Sequence, residues 1–245
     1  MQLQSSPVSG EGAPLRRGHW RALELLEDTR GVLDTLARFE HALGHPVYLR
    51  PTDRGLTVIS LDPATPAMVG VGPHGGSCSL TDLVPSEAHV AAAVAGYRAK
   101  VAAMTKRSRE ERYVISRIRS ALTNRLEVAD QLLFLHQEWR FSSSRKIDVL
   151  AVDQQAGQLV VIEVKRSEAL ALAATTIEQA EAYVTQLIAA SSDYLSYFQR
   201  LLTALARVYR PEHETRLVSA SAPPRWEIWW PRGTRRSGEF LITPK

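Results

Sequence analysis

Asp148, Glu163 and Lys165 are the residues of this chain whose types and spacing are best suited to chemistry. Two carboxylates and an ammonium close together can hold a divalent cation, make a water more acidic and offset charge building on a phosphate oxygen. All three lie in "RKIDVLAVDQQAGQLVVIEVKRS", residues 145 to 167, within two apolar runs separated by Gln154-Gln155-Ala156-Gly157. That break is polar and contains glycine, so the chain is expected to reverse there and pair the runs as a hairpin. A turn centred on it sets Asp148 opposite Glu163, and the pleat puts Lys165 on their face with Leu150, Val152, Leu159 and Val161. Ile147, Val149, Ala151, Val160, Ile162 and Val164 fall on the other face. With both faces apolar, the strand pair is expected to be buried on both sides, its charges gathered at one end.

Like charges opposite each other on paired strands repel, and burial adds to the penalty, so something should neutralise them. One answer is Mg2+ or Mn2+ held by Asp148, Glu163 and the backbone carbonyl of Val164. The other is a structural ion-pair network in which Lys165, Arg145 or Lys146 balances the acids.

"IDVLAVD" with Asp148, followed by "VVIEVK" with Glu163 and Lys165, resembles the signature of the PD-(D/E)xK nuclease superfamily. There an acid on one strand and an acid-x-lysine on the next surround magnesium or manganese. Downstream, "QAEAY" places Gln179 and Tyr183 four residues apart, similar to the glutamine-xxx-tyrosine helix of the RecB-type branch. On a helix the two side chains stack about one turn apart, beside a stripe of Ile177, Ala180, Val184, Leu187 and Ile188. The resemblance covers about residues 108 to 190 and a strand near 217. It implies a restriction-endonuclease-like α/β fold, a mixed sheet flanked by helices, and metal-dependent hydrolysis of DNA, with RNA as the alternative substrate. Asp148, Glu163, Lys165 and Gln179 would be catalytic, Tyr183 would meet the DNA backbone, and cutting both strands would call for a homodimer. Many members carry a further acid in the preceding helix. Glu111 or Glu110 is the candidate here, although Ser108-x-x-Glu111 also reads as a capping box; Glu127 and Glu138 rank below. A rival reading keeps the fold without the chemistry, as a nucleic-acid-binding or scaffold protein.

Further nucleic-acid contacts are expected from Arg145, Lys146 and Arg166 around the acids, and from Arg112. The last lies in a tract from Arg98 to Arg125 holding nine Lys or Arg against Glu110 and Glu111. Such a tract either meets phosphates or forms a solvated face joining two modules. In "RWEIWWPRGTRRSG", alternation separates Trp229 from Trp226, Ile228 and Trp230, making Trp229 a candidate for base stacking or for core packing. His41 and His45 have metal-ligand spacing, but Gly44 and Pro46 break the helix that would pair them. "GPHGGS" lacks the lysine-hydroxyl ending of a phosphate loop and reads as a turn.

The elements that must position these residues follow from periodicity. Residues 1–14 are expected to be disordered. Residues 15–104 read as an N-terminal α+β module: a helical repeat through Leu23, Leu26, Val32, Leu36 and Phe39, two strands around Asp53-Arg54-Gly55, and an alanine-rich helix capped by Ser86. Residues 105–245 read as the nuclease-like domain: a helix, three strands, a long helix over about 168 to 190, another in "YLSYFQRLLTALARVY", a strand in "TRLVSASA" and a hairpin around Gly233. The 245 residues are 44% hydrophobic and 23% charged, the balance of an ordinary globular chain. Cys78 is the single cysteine, which excludes an intrachain disulfide and a cysteine-rich zinc site. With no secretory pattern and no long apolar run, the expectation is a cytoplasmic protein with no membrane partner.

Overall fold

The computed structural model describes residues 15–65, 69–73, 79–80, 82–104, 109–129, 131–140, 146–189, 191–211, 222–231, 233–236 and 239–241. In chain order the elements are α1 (Arg17–Glu27), α2 (Thr29–Leu43), β1 (Val47–Thr52), β2 (Gly55–Ser60), β3 (Ser79–Leu80), α3 (Glu87–Ala102), α4 (Arg109–Thr123), β4 (Glu127–Ala129), β5 (Leu132–Arg140), β6 (Lys146–Asp153), β7 (Gln158–Val164), α5 (Glu168–Ala171), α6 (Ala174–Ala189), α7 (Ser191–Tyr209), β8 (Arg225–Trp230), β9 (Gly233–Arg236) and β10 (Glu239–Leu241). The protein is mixed α+β.

The expected hairpin is the centre of the larger sheet. Gly157 supplies the left-handed φ of 62° that the turn requires, and Asp153 Oδ1 accepts from the N–H groups of Gln155 and Ala156. Val149 then faces Ile162, Leu150 faces Val161, and Asp153 faces Gln158, which is the register the turn predicted. The sheet has seven strands in the order β10-β9-β8-β7-β6-β5-β4, antiparallel except where β7 and β8 run parallel. A parallel neighbour needs a long crossover, and α5, α6 and α7 lie in that connection. β1, β2 and β3 form a separate antiparallel sheet.

Each face of the hairpin is buried under its own layer. Leu150, Val152, Leu159 and Val161 join a large apolar cluster with Tyr183 and Leu187 of α6 and Tyr197, Phe198 and Leu201 of α7. Val149, Ala151, Val160, Ile162 and Val164 join a smaller one with Val114, Ile118 and Ala121 of α4. Ile147 departs from the expected alternation. It packs in the large cluster beside its cross-strand partner Trp139, one residue beyond Glu138, whose left-handed φ of 54° interrupts the pleat of β5.

The large cluster also takes in Leu23, Leu26, Phe39, Leu49 and Val58, so the apolar core runs across the division of the chain near residue 105. Polar links accompany it: the Pro51 carbonyl lies 2.9 Å from His136 Nε2, Arg50 Nη1 donates to Glu138 Oε2 at 2.5 Å, and Arg200 Nε and Nη2 donate to Glu27 at 3.0 and 2.9 Å.

The helix expected over 168 to 190 is two helices. Ser167 accepts from Leu170 N to start α5, and Thr176 donates its hydroxyl hydrogen to the Leu170 carbonyl where α6 begins. Arg145, Ser108 and Cys78, with most of "TRLVSASA" and "GPHGGS", lie outside the described residues. Among the described residues, no helix is long and apolar enough to cross a membrane.

Candidate functional site

β6 and β7 both continue past their last paired rung, Val149 with Ile162. Beyond it the Asp148 side chain takes over the ladder's role: its Oδ2 accepts the Val164 N–H at 2.9 Å. Asp148 and Glu163 lie on the two sides of this opening, each one residue beyond the last paired rung of its strand. Within a strand the N–H and C=O of one residue project to the same edge, so the Val164 carbonyl is aimed toward β6 and Asp148 as well.

Glu163 is only 3% exposed. Its Oε1 accepts from Lys165 Nζ at 2.6 Å and from Gln179 Nε2 at 3.1 Å. Gln179 Nε2 also donates to the Tyr183 hydroxyl at 2.7 Å. The four-residue spacing on α6 therefore does what a helix predicts, aiming both side chains at one spot on β7. The backbone of Lys165 is anchored too, its N–H donating to the Trp229 carbonyl at 2.8 Å.

The electrostatics report the same convergence. Burial raises the pKa of Asp148 above its ordinary value; the Val164 N–H and the charges of Lys165 and Lys146 oppose that shift, and the charge of Glu138 adds to it. Burial also raises the Tyr183 phenol, a shift that the Gln179 hydrogen bond opposes and the charges of Glu163 and Asp148 reinforce. One position thus senses both carboxylates.

Asp148, Glu163, Lys165, Gln179, Tyr183 and the Val164 carbonyl are brought together. Glu111 is carried on α4, which packs against the opposite face of the sheet through Val114, Ile118 and Ala121. Glu138, ranked below Glu111 from the sequence, is an acid whose charge raises the pKa of Asp148. Burial pushes the Glu138 carboxyl up, but Arg50 and Lys146 outweigh it and hold the group below its usual value. Its left-handed backbone, unusual for a residue with a side chain, costs about 1–3 kcal/mol, and such strain persists only where the surroundings impose it.

Lys146 donates to Glu138 Oε1 at 2.6 Å. Arg166 is exposed just beyond Lys165, and Arg112 is exposed on α4, on the far side of the sheet from the carboxylates. Trp229 is a core residue, so of the two roles expected for it, base stacking and core packing, the structure shows the second. It is 3% exposed, its Nε1 donates to Glu227 Oε2 at 2.6 Å, and the Arg117 guanidinium lies 5.4 Å from its ring. Alternation separated Trp229 from Trp226 and Trp230, but it could not show that α4 covers that face. Arg50 escaped sequence reasoning altogether, since no local pattern links it to a strand 88 positions away.

Among the described residues, no three or more His, Cys, Asp or Glu side chains group as a ready metal cage. Two carboxylates and a carbonyl nevertheless suit magnesium, which keeps several waters and takes one or two carboxylates from a protein. No protein-family model matches the chain, no curated protein matches it, and no solved structure matches it.

Proposed function

We propose that this protein is a metal-dependent deoxyribonuclease that hydrolyses DNA phosphodiester bonds, with an endonuclease of DNA repair, restriction or phage defence as its setting. The observation that carries the reading is the meeting of Lys165 Nζ and Gln179 Nε2 on Glu163 Oε1, beside an Asp148 that takes the place of a ladder rung. We read α4, β5, β6, β7, α6 and β8 as a restriction-endonuclease-like core, in which paired strands part at the carboxylates and a helix crosses above them.

Asp148, Glu163 and the Val164 carbonyl would hold Mg2+ or Mn2+. A divalent cation there would supply Lewis acidity toward a phosphate oxygen and make a nearby water more acidic. Lys165 stands close enough to Glu163 to share its surroundings, and its ammonium can donate to a phosphate oxygen or fix the attacking water. Gln179 restrains Glu163 Oε1 and the Tyr183 hydroxyl together, so the carboxylate keeps one orientation as the ammonium shifts toward substrate. The Lys165 to Glu163 pair already offsets the buried charge without a cation, which favours a second reading: a nucleic-acid-binding protein that performs no chemistry.

The test is to incubate purified protein with labelled single-stranded, duplex, mismatched and branched DNA, and with RNA, in Mg2+, Mn2+ or EDTA. The expected result is DNA cutting that requires the cation and falls by about 10² to 10³ in Lys165→Ala, the scale on which one transition-state donor acts. Cutting that survives EDTA, or an undiminished mutant, overturns the reading. Binding without cutting supports the second one, and cutting of RNA alone makes the protein an RNase.

A further inference from the structure

Glu138 is gripped by two cations from different parts of the molecule. Arg50 Nη1, on β1 of the N-terminal sheet, donates to Oε2 at 2.5 Å, and Lys146 Nζ, on β6, donates to Oε1 at 2.6 Å. Each oxygen has its own cation, and two cations against one carboxylate leave the trio net positive. The pairs Gln137 with Val149 and Trp139 with Ile147 bracket Glu138 and set it across from Asp148, while Lys146 precedes Asp148 by two positions on the same strand. The side chains of Arg50, Glu138 and Lys146 are 17%, 26% and 44% exposed. They are shielded enough for charge to act strongly and open enough for a ligand to reach.

We propose that Arg50 and Lys146 form a phosphate subsite beside Asp148, which the Glu138 carboxylate occupies as an internal stand-in until a nucleic-acid phosphate displaces it. The ligand class rests on the reading of the Asp148, Glu163 and Lys165 cluster as a phosphodiester site. A nucleic-acid phosphodiester offers Arg50 and Lys146 two acceptor oxygens sharing one negative charge, as the Glu138 carboxylate does, so the exchange keeps both cations satisfied. Glu138 swings aside as the phosphate enters. The N-terminal sheet thereby supplies part of the substrate-binding surface, and Glu138 competes with any anion that approaches it.

The test is fluorescence anisotropy with a labelled oligonucleotide, single-stranded and duplex, in EDTA so that nothing is cut, at several salt concentrations. Glu138→Gln frees both cations and is expected to tighten binding about fivefold or more, steepening the salt dependence by about one counterion. Arg50→Gln is expected to weaken binding about fivefold and make the slope shallower by about one. Combining the two substitutions should remove most of the gain seen in Glu138→Gln. Glu87→Gln, a matched charge change on an exposed residue of α3, should leave affinity within about twofold, which separates a local effect from net charge. Affinity unchanged or weakened in Glu138→Gln overturns the proposal, as does an equal gain in Glu87→Gln or no binding by any variant. Because the binding assay contains no divalent cation, it reads the subsite apart from catalysis: cation-dependent cutting by the wild type in the nuclease assay, beside an unmoved affinity of Glu138→Gln, removes the subsite and leaves the nuclease reading intact. The expected affinity pattern in a protein that never cuts keeps the subsite and removes the nuclease.

Discussion

The two halves of the β6 to β7 hairpin are built from the same strands and differ in what they are optimised for. From Val149 to Asp153, and from Gln158 to Ile162, every rung is paired and both faces are apolar and covered. From Lys146 to Asp148, and at Glu163 and Val164, the rungs between the two strands are absent, and the charged Lys146, Asp148 and Glu163 alternate with the apolar Ile147 and Val164. The paired half supplies apolar burial that stabilises the fold, at roughly 25 cal/mol per Å2 removed from water. The open half gives up some of that stability to bury Asp148 and Glu163 beside Lys165 and Lys146. A sheet rigid at one end can hold carboxylates in place at the other, which like-charge repulsion would otherwise splay.

The halves should respond oppositely to acid. His136, across from Leu150 in the paired half, is buried and neutral, its pKa held down to about 3 by burial first and the Arg50 charge second. In the unfolded chain it takes up a proton below about pH 6.5. Stability should therefore fall as pH drops from about 6.5 toward 3, at roughly 1.4 kcal/mol per pH unit. His136→Gln should remove that slope, so that urea titrations at pH 7 and pH 5 differ by roughly 2 kcal/mol less than in the wild type. An unchanged slope would mean that His136 is charged or solvated in the fold.

Beneath the open half, Trp229→Phe should leave one oxygen of Glu227 buried without its indole donor and destabilise by about 1–3 kcal/mol. Oligonucleotide affinity measured in parallel should not change, because the ring faces α4. A loss of affinity with stability intact would return Trp229 to the binding surface.

The smallest effect belongs to Asp148. Its folded pKa is raised, so below the ordinary carboxylate range both states are protonated and its charge has no influence. As pH rises the unfolded chain ionises first, and the fold loses stability until the raised pKa is passed. Asp148→Asn should accordingly melt slightly higher than the wild type at pH 7 to 8, with the difference vanishing in acid. A lower melting temperature at neutral pH would show that the charge stabilises the fold.

The two halves were also unequally legible in the sequence. Both apolar faces and the glycine-bearing turn determine the register of β6 and β7, and that register leaves Asp148 and Glu163 just beyond its last rung. The helical spacing of Gln179 and Tyr183 needed no knowledge of the fold. What escaped was non-local: α4 over Trp229, Arg50 reaching Glu138, and the left-handed backbone at Glu138, for which glutamate carries no propensity. The break between α5 and α6 escaped for another reason. Neither glycine nor proline marks it, and a serine and a threonine hydroxyl make it.

Calorimetric titration with Mn2+ tests the central claim most directly, since it asks whether the open end of the hairpin takes a cation at all. The account predicts saturable uptake of about one ion per chain, abolished in Asp148→Asn and undiminished in Lys165→Ala, which removes a competing positive charge. No uptake by the wild type, or equal uptake by Asp148→Asn, would contradict it.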